Sequence, residues 1–277
     1  MRTWLVRLTI VTSILASVDA AGSPRTAPIA LSRFVSTVRA FTLAPERLPS
    51  LVQLTQHCGG DTLCAAQRVA GAVGPRAALM RVQHPDTDTI RWVTTKPSVV
   101  RVTDDGLQRV IALRQFGRKV TQELLQALHS GSVGTPTRAI VLDLRCNHGG
   151  DFHRMMRIAG LFTGPVAGAV TLAERHSHMT VDIPKAASRV VTDSLTVYVG
   201  PQTASSAEVF AILLKQYVGA TIVGQPTYGK NFLVRVIPVT HDWSLLLPSA
   251  MIEVSGYDLS AGVVPDHVTE VDLSACE

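Results

Sequence analysis

Leu195-Thr196-Val197-Tyr198-Val199-Gly200-Pro201-Gln202-Thr203-Ala204-Ser205-Ser206-Ala207-Glu208 reads as a strand, a tight turn and the head of a helix. The run before Gly200 is apolar and β-branched, which suits a covered strand, and Gly-Pro ends it. Downstream, Ala207 to Tyr217 is apolar enough for a packed helix, and Ala220-Thr221-Ile222-Val223-Gly224 is a second strand. Upstream, Ala139-Ile140-Val141-Leu142-Asp143-Leu144 is a third, followed by a helix through Met155, Met156, Ile158 and Leu161. Strand, helix, strand, helix, strand is the order of parallel strands joined by crossovers, so the fold class is α/β.

Further upstream, Val99-Val100-Arg101-Val102 and Gln108 to Leu113 are strand candidates, as is Thr89 to Val93. Leu124, Leu125 and Leu128 share one helical face, and residues 131 to 136 form a loop. Phe232 to Val239 and Trp243 to Val254 suit a hairpin around His241-Asp242. Leu31 to about Ala78 reads as helices, with Leu48, Leu51, Val52 and Leu54 near helical spacing. The expected organisation is a leader over 1–20, a helical region over 21–80 and a core over 81–277.

The leader has Arg2 and Arg7, then an uncharged stretch from Leu8 to Val18, then Val18-Asp19-Ala20 before a cut. Such a segment exports a protein and is removed. It is short for a spanning helix of about 20 residues, so no integral membrane segment is expected after its removal, and the mature protein belongs in the periplasm or outside the cell. The 277 residues carry a formal charge of +5, with no basic run interleaved with aromatics, so nucleic-acid binding is not expected. Cys58 and Cys64 bracket a short loop that can close as a disulfide. Cys146 and Cys276 can pair, although spacing alone does not fix connectivity. His57 beside Cys58 matches no standard zinc spacing, so no metal is expected.

Ser205 stands where unpaired helix N–H groups point outward. The N–H of Ser206 could bind a developing oxyanion, and the helix end favours negative charge on Ser205. A helix cap is the plain alternative. Lys230 follows in Thr227-Tyr228-Gly229-Lys230, between apolar stretches that would favour the neutral amine. Asn147-His148-Gly149-Gly150 supplies glycines after a strand, where backbone can approach a ligand. A nucleophilic serine with a lysine base and a backbone oxyanion hole is a constellation for acyl transfer.

Together these segments resemble the tail-specific, or carboxy-terminal processing, serine peptidases with a Ser/Lys dyad. The markers are Asp143 to Gly150, Thr203 to Glu208, Gly224 to Lys230 and Gly262-Val263-Val264-Pro265-Asp266, in family order. The form Thr203-Ala204-Ser205-Ser206-Ala207-Glu208 looks like the nisin-resistance branch, which degrades a small peptide. The resemblance implies a crotonase/ClpP-like core of stacked strand-strand-helix units. It implies Ser205 as nucleophile and Lys230 as base, with a hole made by Ser206 N–H and the N–H of Gly149 or Gly150. No cofactor is implied, and the partner is a polypeptide or peptide substrate.

Departures are visible. Val234 stands where many relatives have a glutamine that orients the lysine; Glu208 or Gln216 could replace it, a solvated helix face being the preferred reading of Gln216. Asp143 and Arg145 are read as holding the glycine loop. The stretch between Cys64 and Phe116 is short for the PDZ domain common in these peptidases, so a minimal form is expected. A histidine from the N-terminal part assists the serine in the nisin-resistance branch, which makes His84 and His57 candidates. The main alternative function is a catalytically inactive peptide-binding relative of the same fold. A crotonase-like acyl-CoA enzyme is a further rival that export disfavours.

Overall fold

A computed structural model describes residues 30–74, 76–81, 97–105, 107–129 and 139–276. The leader, the strand expected at Thr89 to Val93, the loop at 131–136 and His84 lie outside these residues. The described residues open with three α-helices: α1 (Leu31–Phe41), α2 (Leu51–Cys58) and α3 (Thr62–Val73). Ser50 and Gln53 form a reciprocal cap at the head of α2, and the Asp61 carboxylate accepts from Leu63 and Cys64 N–H at the head of α3. Each such cap contributes about 1 kcal/mol. The Cys58–Cys64 disulfide closes the turn between α2 and α3.

Then come β1 (Ala78–Arg81), β2 (Val99–Asp104), β3 (Gln108–Leu113), α4 (Val120–His129), β4 (Ala139–Asp143) and α5 (Phe152–Thr163). A hairpin of β5 (Val166–Glu174) and β6 (His178–Ile183) follows, then β7 (Ser194–Val199), α6 (Ser206–Val218) and β8 (Thr221–Gly224). The chain ends with β9 (Phe232–Pro238), β10 (Trp243–Glu253) and β11 (His267–Val268). The β5–β6 hairpin is absent from the sequence reading. Most of β6 is exposed, so it has no apolar stripe to announce it; pairing with β5 makes it a strand.

One sheet has the order β11-β8-β7-β4-β3-β2, parallel from β3 through β11, with β2 antiparallel at its edge. Its register aligns Ile111, Leu142, Val197 and Ile222 in one row, and all four are fully buried. Side chains alternate along a strand, so this row forms one face. The same core includes Met155, Ile158, Phe210 and Leu214 from α5 and α6. The parallel order places the ends of β4, β7 and β8 along one edge, and the glycine loop and the serine turn leave from that edge.

The second sheet is built on β10. β9 pairs along one side of it, while β1 and β5 pair on the other and β6 extends beyond β5. Phe34, Val38, Leu54 and Val69 of the N-terminal helices share a second core with Ile237, Leu245 and Leu247 of this hairpin.

Candidate active site

The turn from β7 into α6 carries the strain. Ser205 has φ 59° and ψ −126°, and among the described residues it is the only non-glycine with positive φ. Such a conformation costs about 1–3 kcal/mol and persists where neighbours enforce it. They do so here. Buried Thr203 accepts Gly200 N–H through Oγ1 and donates to the Leu144 carbonyl. Ala204 N–H donates to the Asn147 carbonyl. A sharp strand-to-helix turn of this kind is how a nucleophile is presented at the top of a sheet.

Glu208 lies within the first turn of α6 and is 1% exposed. Its Oε2 accepts the Ser205 N–H at 2.7 Å and the Lys230 N–H at 2.8 Å. Its Oε1 accepts Thr227 Oγ1–H and the Gly229 N–H at 2.6 Å. The main-chain nitrogens of Ser205 and Lys230, far apart in sequence, thus share one oxygen and lie no farther apart than the sum of two hydrogen bonds. Tyr228 N–H donates to the Thr203 carbonyl and adds a second tie. Glu208 is therefore not on a solvated helix face: its carboxylate is an internal clamp between the serine turn and the lysine loop.

Lys230 is half-buried. Its Nζ lies 5.5 Å from the centroid of the Phe232 ring, and none of the ion pairs among the described residues involves it.

The two glycines divide their work. Gly149 is buried, and its N–H donates to Asn147 Oδ1 at 2.8 Å. Gly150 is exposed, and among the described residues neither its N–H nor that of Ser206 meets an acceptor. The pair with free donors is thus Ser206 and Gly150. Gly149 serves close approach: at φ 99° a Cβ there would lie 2.9 Å from the Ala204 carbonyl oxygen and 3.0 Å from Ser205 Cβ. Gly149→Ala is expected to destabilise the protein by about 2–4 kcal/mol, from strain plus overpacking, read from the urea midpoint at constant m-value.

Asn147, fully buried, is the residue that sequence reasoning quoted without a role. Its Nδ2 donates to the Leu113 carbonyl while its Oδ1 holds Gly149. An asparagine between a strand and two glycines is the only signal. Arg145 binds both carboxylate oxygens of Asp143, at 2.8 and 2.7 Å, beneath the same loop. Thr227 was quoted but likewise unassigned; its Oγ1 also accepts Val263 N–H, joining two of the sequence markers. Asp266 accepts Ile222 N–H and pairs with Lys215.

Gln216 is exposed, about 15 Å along α6 from Ser206, so the structure does not bring it to Ser205. His57 is exposed, with Nδ1 against the Gln53 carbonyl of its own helix. His148 is exposed beside the glycines.

Residues 109–269 match Peptidase family S41. The chloroplastic carboxyl-terminal-processing peptidase 2 of Arabidopsis thaliana is 28% identical over 73% of this chain and 42% of its own length. The carboxyl-terminal-processing protease of Synechocystis sp. is 31% identical over 76% of this chain and 51% of its own. The chain spans about half the length of these curated relatives. Among solved structures, a lipoprotein from Streptococcus agalactiae superposes with a TM-score of 0.65 at 16% identity, covering 88% of this chain and 93% of that one. The photosystem II D1 C-terminal processing protease gives 0.53 at 21%, covering 74% and 50%. These likenesses show the fold.

Proposed function

The chain belongs to peptidase family S41, and from that premise we propose that it is an exported serine endopeptidase with a Ser205/Lys230 dyad. The observation that carries the reading is the single Glu208 oxygen shared by the main-chain N–H groups of both residues. Ser205 Oγ attacks the scissile carbonyl carbon as neutral Lys230 takes its proton. Ser206 and Gly150 N–H groups hold the oxyanion. Lys230 returns the proton to the leaving amine, then activates the water that hydrolyses the acyl-enzyme.

The substrate is an extended peptide or polypeptide. Among the described residues β9 pairs with β10 alone and begins two residues beyond Lys230, so its other edge offers main-chain groups to a peptide strand. Export is supported by two disulfides that use all four cysteines. No helix among the described residues is long and apolar enough to cross a membrane. The proposed division is a leader at 1–20, a helical region at 21–80 and a core at 81–277; the helices from Leu31 to Val73 support the second of these.

The test is active-site labelling. A fluorophosphonate is expected to modify Ser205 alone, at one label per chain by mass spectrometry, and to stop cleavage of a disordered protein. An unlabelled Ser205 in a protein that still binds peptides would favour the inactive relative, a reading that Val234 at the glutamine position supports. The rate is also expected to rise with pH on the acid side, because only the neutral amine accepts a proton and its fraction grows as pH rises. A pH–rate profile peaking at acid pH would refute a lysine base.

A further inference from the structure

The C-terminal segment beyond β11 touches both loops of the candidate site. Thr269 N–H donates to the Gly224 carbonyl, the last main-chain bond that ties this segment to the sheet among the described residues. Beyond it the hydrogen bonds are local: Ser274 N–H to Asp272 Oδ1 and Cys276 N–H to the Leu273 carbonyl. What fastens the segment is side chains. Cys276 is bonded to Cys146, directly before Asn147, across a sequence separation of 130. The Asp272 carboxyl is held below its usual range chiefly by Ser274, with a contribution from the nearby Arg145 guanidinium. Val271 covers Gly200, at the start of the serine turn, so closely that a Cβ there would meet Val271 Cγ1 at 3.2 Å.

Beneath this crossing lies a cavity of about 230 Å³ whose walls include Arg145, Cys146 and Asp272. On that side Cys146, at the base of the glycine loop, borders open space rather than packed core. The loop is held from within by the Asn147 side chain, by Phe116 N–H on the Gly149 carbonyl, and by Ala204 N–H and Ser206 Oγ–H on the Asn147 and Gly150 carbonyls, and from without by the disulfide at its base. An oxyanion hole depends on donors fixed before the reaction, and a misplacement of about 1 Å can cost about 100-fold.

We propose that residues 270–276 are a covalent strap, and that the Cys146–Cys276 disulfide positions the Asn147–Gly150 loop against Ser206, so that turnover requires the oxidised form. The inference rests on the peptidase reading. A dithiol opens the strap: its thiolate attacks one cystine sulfur, the S–S bond breaks, the second thiol resolves the mixed disulfide, and Cys146 and Cys276 leave as two thiols while the reductant becomes a cyclic disulfide. The other disulfide, between α2 and α3, is an internal control.

The experiment measures kcat and KM before and after dithiothreitol, with alkylation and mass spectrometry confirming which bridge has opened. Opening Cys146–Cys276 is expected to lower kcat about 10–100-fold, leave KM within about twofold because the hole acts in the transition state, and be reversed by reoxidation. The Cys58→Ser/Cys64→Ser variant is expected to respond like the parent. The Cys146→Ser/Cys276→Ser variant is expected to start slow and ignore the reductant, with its far-ultraviolet circular dichroism unchanged. An unchanged kcat with the bridge open, a loss that follows only the Cys58–Cys64 bridge, or a loss explained by global unfolding would each overturn the strap. An oxidised protein that neither cleaves peptides nor takes a fluorophosphonate would overturn the peptidase reading, and the strap's catalytic role with it.

Discussion

Lys230→Met and Ser205→Ala are each expected to lower kcat by about 10⁴–10⁶-fold, and the double variant is expected to be no slower than the worse single one. Methionine keeps much of the length of the side chain whose Nζ lies near the Phe232 ring but has no nitrogen to accept a proton. Alanine keeps the Ser205 main chain and removes the attacking oxygen. Groups that act as one unit are strongly non-additive, because once the proton acceptor is gone the hydroxyl has no route to react. The check is kcat from single-turnover cleavage in all four proteins, with thermal unfolding showing that each is folded. Losses that multiply in the double variant would mean that the two residues act independently, and the dyad would fall.

Glu208→Ala is expected to combine a large stability loss with a large rate loss. The carboxylate satisfies four donors: the N–H groups of Ser205, Gly229 and Lys230 and the hydroxyl of Thr227. Removing a buried acceptor costs about 1–3 kcal/mol for each donor left unsatisfied, so a total of about 3–5 kcal/mol is expected once the loop relaxes toward water. The rate should fall at least about 100-fold, because the lysine loop is no longer pinned to the serine turn. Glu208→Gln keeps the volume and one acceptor oxygen but turns an NH₂ toward N–H donors, and it should lie between parent and Glu208→Ala. Urea denaturation with kcat on the three proteins separates the two effects. A Glu208→Ala protein as stable as the parent would show that these hydrogen bonds are not holding the site.

The parallel sheet was legible because its strands are short apolar runs ended by glycine turns and separated by apolar helices, as Leu195 to Glu208 shows. The β9–β10 hairpin was legible as two largely apolar runs on either side of His241-Asp242. The β5–β6 hairpin was not, since β6 is mostly solvent-facing. Within the site, Ser205, Lys230 and the glycines stood out because small residues cluster around them. The buried hydrogen bonds of Thr203, Thr227 and Asn147 did not, since Thr and Asn occur at any turn.

Sequence by itself determined which residue types sit at the ends of which strands, because periodicity and turn chemistry are local. Only the tertiary structure decided how the loops meet. It set Glu208 between two distant backbone nitrogens and occupied the Gly149 N–H while leaving that of Gly150 open. It also joined Cys146 to Cys276 and left Gln216 at the far end of its helix. The reason is that each of these depends on the direction of a donor or the closure of a long loop, and both are set by strand order and packing rather than by neighbours in the chain.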